Sequence, residues 1–230
     1  MLVPENGLLI QYLGHASFLI TTGGGTRVLF DPYDTSHYGD TLRYAPITEA
    51  ADLAVITHHH ADHARTADLP GAPTLIDGLE LAQSGPRTFA DLTLRAVHAY
   101  HDTHKGQDRG EDAMVLLETA GLRLCHAGDL GHLLDAEQIR ALSPLDVLLL
   151  PVGGHYTVDA AAATQVMESL APRLTIPMHY LTPRTSFPIA PVDDFLRGKA
   201  NVIRPGGSDL AVTRESLPTQ PQIVVLVPLH

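Results

Sequence analysis

The chain has 230 residues, 44% of them hydrophobic, which is enough for one domain with a proper core and argues against disorder. Fifteen basic against twenty-six acidic residues give a formal net charge of −11, which speaks against a nucleic-acid backbone as the main partner. A single cysteine, Cys125, excludes an internal disulfide and a Cys-rich zinc module, and fourteen histidines are the compositional outlier.

Short apolar runs predict strands over residues 8–13 and 17–22, separated by Gly14-His15. The reversal Gly23-Gly24-Gly25 leads into a third strand over 26–31, ended by Asp31-Pro32 and a polar loop with Tyr33, His37 and Tyr38. A strand over 52–57 runs straight into a histidine cluster, and further strands are expected over 74–76, 92–98, 113–119 and 122–126. Helical spacing predicts a helix over 135–142 and an Ala-rich one over 157–170, with Thr157 or Asp159 as cap and Pro172 as stop. Between them, the Val-Leu-Leu-Leu run makes 146–151 a buried strand. A strand over 174–179, a short helix over 192–196, strands over 201–204 and 210–213 and an apolar run over 223–227 complete the chain.

No repeat, low-complexity segment or long linker divides residues 1–230, so a single layered α/β domain is expected. The absence of a basic, apolar leader and of any bilayer-length apolar stretch predicts a cytoplasmic protein without membrane insertion.

The chemistry concentrates in Thr57-His58-His59-His60-Ala61-Asp62-His63. Side chains alternate along an extended chain, so His58 and His60 point one way and can grip one metal, with His59 facing away. A turn near Asp62 then aims Asp62 and His63 at a neighbouring point. Imidazole and carboxylate suit zinc, manganese or iron. The alternative is a solvated, histidine-rich loop. Cys125 lies on an apolar strand and reads as a small buried hydrophobe.

That run resembles the signature of the metallo-β-lactamase superfamily, and the other expected pieces follow in order. They are His101 in Ala99-Tyr100-His101-Asp102, Asp129 after Gly128, His179 in Ile176-Pro177-Met178-His179-Tyr180, and the early Asp31-Pro32. The marks Gly14-His15-Ala16, His126-Ala127-Gly128-Asp129 and Pro151-Val152-Gly153-Gly154 followed by Tyr156-Thr157 are most similar to the branch containing L-ascorbate-6-phosphate lactonases. The resemblance implies an α/β fold of the metallo-β-lactamase type, a four-layer αββα sandwich with two divalent metal ions at one edge between the sheets. It assigns one metal to His58, His60 and His101 and the other to Asp62, His63 and His179, with Asp129 bridging and Asp31 supporting the site. Two ions about 3.5–4 Å apart can share a hydroxide that is nucleophilic at neutral pH, with Asp62 and Asp129 orienting it or passing a proton.

His98 and His104 flank His101 and are the alternatives for the mid-chain ligand. His126 is expected to support the site from behind the ligands, or else to be a core histidine bonded to backbone. His15 lines the site or serves a turn, while His155 and Tyr156, after two glycines at a strand end, are candidates to face substrate. Lys105, Arg109 and Arg184 lie near the ligands, where a cation can neutralise a phosphate or carboxylate, although most lone surface cations are simply solvated. The resulting expectation is a metal-dependent hydrolase of a small ester, lactone or phosphoester, with an anionic substrate and a homo-oligomer both compatible with it. The alternatives are a non-hydrolytic di-metal or redox module and a nuclease of the same superfamily. No nucleic-acid partner is expected, since neither a basic face nor an inserted binding domain is evident.

Overall fold

The computed structural model describes residues 2–230. Its strands are β1 (Gly7–Gly14), β2 (Ser17–Thr22), β3 (Arg27–Phe30), β4 (Leu53–Ile56) and β5 (Thr74–Asp77), followed by helix α1 (Gly78–Ser84). Then come β6 (Arg87–Phe89), β7 (Leu92–Tyr100), β8 (Glu111–Thr119), β9 (Leu122–His126), α2 (Ala136–Leu142), β10 (Val147–Pro151), α3 (Ala160–Leu170) and β11 (Leu174–Met178). The chain ends with α4 (Val192–Leu196), β12 (Val202–Ile203), β13 (Asp209–Thr213) and β14 (Gln222–Val224). Two sheets result, one of six strands in the order β13-β1-β2-β3-β4-β5 and one of eight in the order β12-β14-β11-β10-β9-β8-β7-β6.

The period-two alternation of strand side chains sorts the first sheet into two faces. Leu8, Ile10, Tyr12, Phe18, Ile20, Val28, Phe30 and Val55 enter the main core, which they share with Met114, Leu116, Leu124 and Leu148 of the second sheet. Leu13, Leu19, Leu29 and Ala54 point the other way, into a second cluster with Tyr33, Leu42, Tyr44, Ile47, Phe187 and Ile189. That outer face is therefore covered by irregular chain containing one 3-10 turn (Gly39–Thr41), a thinner layer than the resemblance implies. The second sheet carries α2, α3 and α4, whose Leu142, Val166, Leu170 and Phe195 join the main core. Among the described residues no helix is long and apolar enough to cross a membrane.

The α/β sandwich is as expected, with local differences. Helix α3 starts at Ala160, because Asp159 Oδ1 accepts from the N–H groups of Ala161 and Ala162 at 3.0 and 2.8 Å. Asp135 caps α2 in a capping box with Gln138. The apolar run over 223–227 is regular strand only as far as Val224, although Val225 and Val227 N–H still donate to Ile203 O and Gly207 O, and the strand expected over 201–204 shrinks to two residues. Helix α1 and strand β6 are additional to the sequence reading.

Topology gathers the site. Strands β3, β4 and β5 run parallel, as do β9, β10 and β11, and β7 is antiparallel to β8, itself antiparallel to β9. The carboxyl ends of β3, β4, β7, β9, β10 and β11 thus open toward one edge of the sandwich, the usual place for a site in such sheets. Two hydrogen bonds tie the sheets together there: His179 N–H donates to His15 O at 2.9 Å, and His126 Nε2 to Ala16 O at 2.7 Å.

Candidate metal centre

Strand β4 delivers Thr57 and His58 to this edge, and the chain then makes one helical turn, with the N–H groups of His63 and Ala64 both reaching His60 O at 2.9 Å. His58 and His60 meet as expected, Nε2 to Nδ1 at 3.1 Å with rings at 86°. His59 points elsewhere, to Asp77 at 3.1 Å with its side chain 62% exposed. Replacing His59 with alanine is accordingly expected to leave metal content nearly intact; loss of metal in that variant, read by plasma mass spectrometry, would mean the strand faces the other way.

Asp31, at the end of β3, is fully buried and accepts from Thr57 N–H at 2.8 Å, Thr57 Oγ1 at 2.8 Å and His63 Nδ1 at 2.8 Å. That last bond places the ring proton on Nδ1 and turns the Nε2 lone pair of His63 into the site, the arrangement by which a carboxylate orients a ligand. Asp62 is held on both oxygens, by His15 Nε2 at 3.1 Å and by the Tyr38 hydroxyl at 3.0 Å.

Asp129 arrives from β9 through the Gly128 turn and stands between the histidines. Its Oδ2 lies 3.1 Å from His101 Nε2, 3.3 Å from His63 Nε2, 3.4 Å from His179 Nε2 and 4.0 Å from His58 Nε2. His126 supports that turn: its Nε2 donates to Ala16 O, its Nδ1 accepts from Gly128 N–H at 3.1 Å, and its ring stacks on Phe30. Three groups offer converging ligand atoms: His58, His60 and His101 on one side, His15, Asp62, His63 and His179 on the other, and Asp31, His58 and His63 behind them.

Burial alone would raise the Asp129 carboxyl, but the imidazoles of His179, His63 and His101 hold it well below the usual carboxylate range. Burial pushes His179 down to about 3 and His60 to about 4, so both are neutral near pH 7, the form that binds metal. Burial also opposes charge on His63, yet Asp129 and Asp62 raise it well above its ordinary value. A cation replacing that proton meets the same carboxylates. Asp129 Oδ1 and His63 Nε2 are buried without hydrogen-bond partners, a costly arrangement unless a cation takes them up. The donor set fits a divalent metal.

All seven predicted ligands, His58, His60, Asp62, His63, His101, Asp129 and His179, converge here. His98 and His104 do not: they pair with Glu111 at 3.1 Å and Asp108 at 2.5 Å, outside the cluster. Tyr156 lines the cleft above the cluster, whereas His155 is exposed beside it. Lys105 is exposed, Arg184 lines a separate groove, and Arg109 lines the cleft.

Three contributors were absent from the sequence reading. Asp112, fully buried in β8, sits 3.4 Å from His58 Nδ1 through Oδ1. Tyr38, read only as part of a polar loop, and Phe187 form aromatic walls of the cleft, their rings 5.4 Å apart.

A family model described as a beta-lactamase superfamily domain matches residues 9–179. A UPF0173 metal-dependent hydrolase from Carboxydothermus hydrogenoformans is 32% identical over 195 residues, spanning 75% of this chain and 84% of the relative. A metallo-β-lactamase superfamily hydrolase from Thermotoga maritima, whose description names zinc, has a solved structure similar to this one. The two share a TM-score of 0.76 and 30% identity over 95% of this chain and 98% of that one. A metallo hydrolase from Ignicoccus hospitalis follows at a TM-score of 0.59 and 25% identity, over 90% and 98% of the two chains. The chain belongs to the metallo-β-lactamase superfamily and, within it, to the UPF0173 metal-dependent hydrolases.

Proposed function

We propose that this single-domain cytoplasmic protein uses two divalent metal ions, zinc foremost, to hydrolyse a small-molecule ester, lactone or phosphoester. One ion would be held by His58, His60 and His101, the other by Asp62, His63 and His179, with Asp129 placed to serve both. When bound, such a pair supplies an activated water and Lewis-acid polarisation at neutral pH. The observation that carries this reading is Asp129 Oδ2 lying within 3.1–3.4 Å of His101, His63 and His179, between the two donor groups.

The chain's own residues do the rest. Asp62 faces the cleft with both oxygens fixed by Tyr38 and His15, so it can hold and orient an attacking water. Asp31 locks the His63 tautomer and Asp112 backs His58. Tyr38, Tyr156 and Phe187 enclose the substrate and limit access of bulk water. The resemblance of Gly14-His15-Ala16 and His126-Ala127-Gly128-Asp129 to the L-ascorbate-6-phosphate lactonase branch supports a lactone among the candidate substrates.

The test uses 4-nitrophenyl acetate, a γ-lactone and bis(4-nitrophenyl) phosphate. Turnover of at least one is expected, lost after chelation and restored by zinc, manganese or iron. Turnover that persists in metal-free protein, or none of the three hydrolysed with any of these metals, would contradict the proposal.

A further inference from the structure

The cleft above the metal-binding cluster has a volume of about 280 Å³. This lies just under the roughly 300–1,000 Å³ of drug-sized sites, so its occupant is small. Three aromatic side chains wall it, with Tyr156 and Phe187 rings 5.8 Å apart and Tyr38 against Phe187. Among the described residues one Arg or Lys lines it, Arg109.

Arg109 is placed rather than loosely tethered. The loop after β7 folds around the Asp102 carboxylate, which accepts from the N–H groups of His104, Gly106, Asp108 and Arg109 at 2.8–2.9 Å. His101 N–H donates to Gly110 O at 3.1 Å and closes the same loop. One rigid segment therefore carries a candidate metal ligand at its start and the guanidinium near its end. The guanidinium rests 5.6 Å from the centre of the Tyr156 ring, a cation–π contact that holds it while leaving its donors free. Among the described residues no carboxylate lies within ion-pair distance of it, although the chain is strongly acidic.

A planar fork of donors with no hydrogen-bond partner among the described residues, facing a small cleft, matches a carboxylate or phosphate in bidentate geometry. With a net charge of −11 the molecule as a whole repels anions, so recognition of one needs a local cation of this kind. We propose that Arg109 binds an anionic group of the substrate, so that the preferred substrates are small esters or lactones bearing a carboxylate or phosphate beside the scissile bond. This rests on the hydrolase reading of the same site.

The test compares 4-nitrophenyl acetate with mono-4-nitrophenyl succinate on metal-loaded full-length protein, wild type, Arg109→Gln and Arg109→Lys. The ratio of kcat/KM for the anionic ester over the neutral one is expected to fall about ten- to a hundredfold in Arg109→Gln, chiefly through KM, the range for losing a charged hydrogen bond. Arg109→Lys, which keeps charge but not the fork, should fall between. A ratio preserved in Arg109→Gln overturns the proposal. Calorimetric binding of succinate and of inorganic phosphate to the same proteins gives a second readout that needs no turnover. Weaker succinate binding in Arg109→Gln assigns the site to carboxylates, and weaker phosphate binding to phosphates. Equal affinity in wild type and variant for both anions, or no binding of either, overturns the anion site. If neither ester is hydrolysed by wild type, the hydrolase reading stands or falls on the γ-lactone and the phosphodiester, and the binding result alone decides the role of Arg109.

Discussion

Replacing Asp129 with alanine is expected to abolish hydrolysis and strip metal from the protein while the fold survives. No other carboxylate stands so near four imidazoles, with its Oδ2 3.1 to 4.0 Å from His101, His63, His179 and His58. Removing a partner that merely orients a ligand costs about 10–100-fold in metal affinity or activity, so loss of a group shared between two donor sets should exceed about a hundredfold. The fold tolerates the change because Asp129 lies in the turn after β9, outside the apolar core of the two sheets. Steady-state kcat/KM, metal content and circular dichroism on the same preparation check all three parts. Full activity in the variant would contradict the mechanism.

Asp112→Asn is expected to weaken metal binding by about 10–100-fold yet leave the metal-free protein at least as stable as wild type. The Asp112 carboxylate is fully buried, and neither oxygen has a hydrogen-bond partner. A buried charge without hydrogen bonds, approached among the described residues by His58 alone at 3.4 Å, costs several kcal/mol in order of magnitude, so neutralising it relieves the apo fold. Its position nevertheless has a use. Oδ1 lies 3.4 Å from His58 Nδ1, and Thr57 Oγ1 lies 3.1 Å from the same nitrogen, so the two set the direction in which the imidazole presents Nε2. The space for the carboxylate depends on Gly128, where a Cβ would sit 2.3 Å from Asp112 Oδ1 on a backbone with φ of 56°. Competition against a calibrated chelator and urea unfolding of the metal-free protein read the two effects separately. Unchanged metal affinity would make Asp112 a passenger.

The histidine run was legible because alternation along an extended strand needs only local geometry, and His101, Asp129 and His179 followed from motif order. Asp112 was not, since an aspartate near a strand start ordinarily reads as solvent-facing. Its meaning appears only with the β8–β9 register, in which Val115 opposes His126; continued outward, that register sets Asp112 level with Asp129. Helix α1 escaped the reading because it opens on Gly78, a poor helix residue. The glycine answers a packing demand instead: a Cβ there would meet Ile56 O at 2.9 Å and Ala113 Cβ at 3.0 Å. The turn left His15 either lining the site or purely structural; its bond to Asp62 and its place beside His63 and His179 depend on the contact between the two sheets. Phe187 reaches the cleft from a segment with no motif at all, so only the tertiary structure reveals it.

The most direct test of the central claim is metal content by plasma mass spectrometry on untagged protein purified without chelators, with Asp129→Ala alongside. About two metal ions per chain are predicted for wild type, as two donor groups around one shared carboxylate require, and far fewer for the variant. One metal or none per wild-type chain after reconstitution with zinc, manganese and iron would contradict a dinuclear centre.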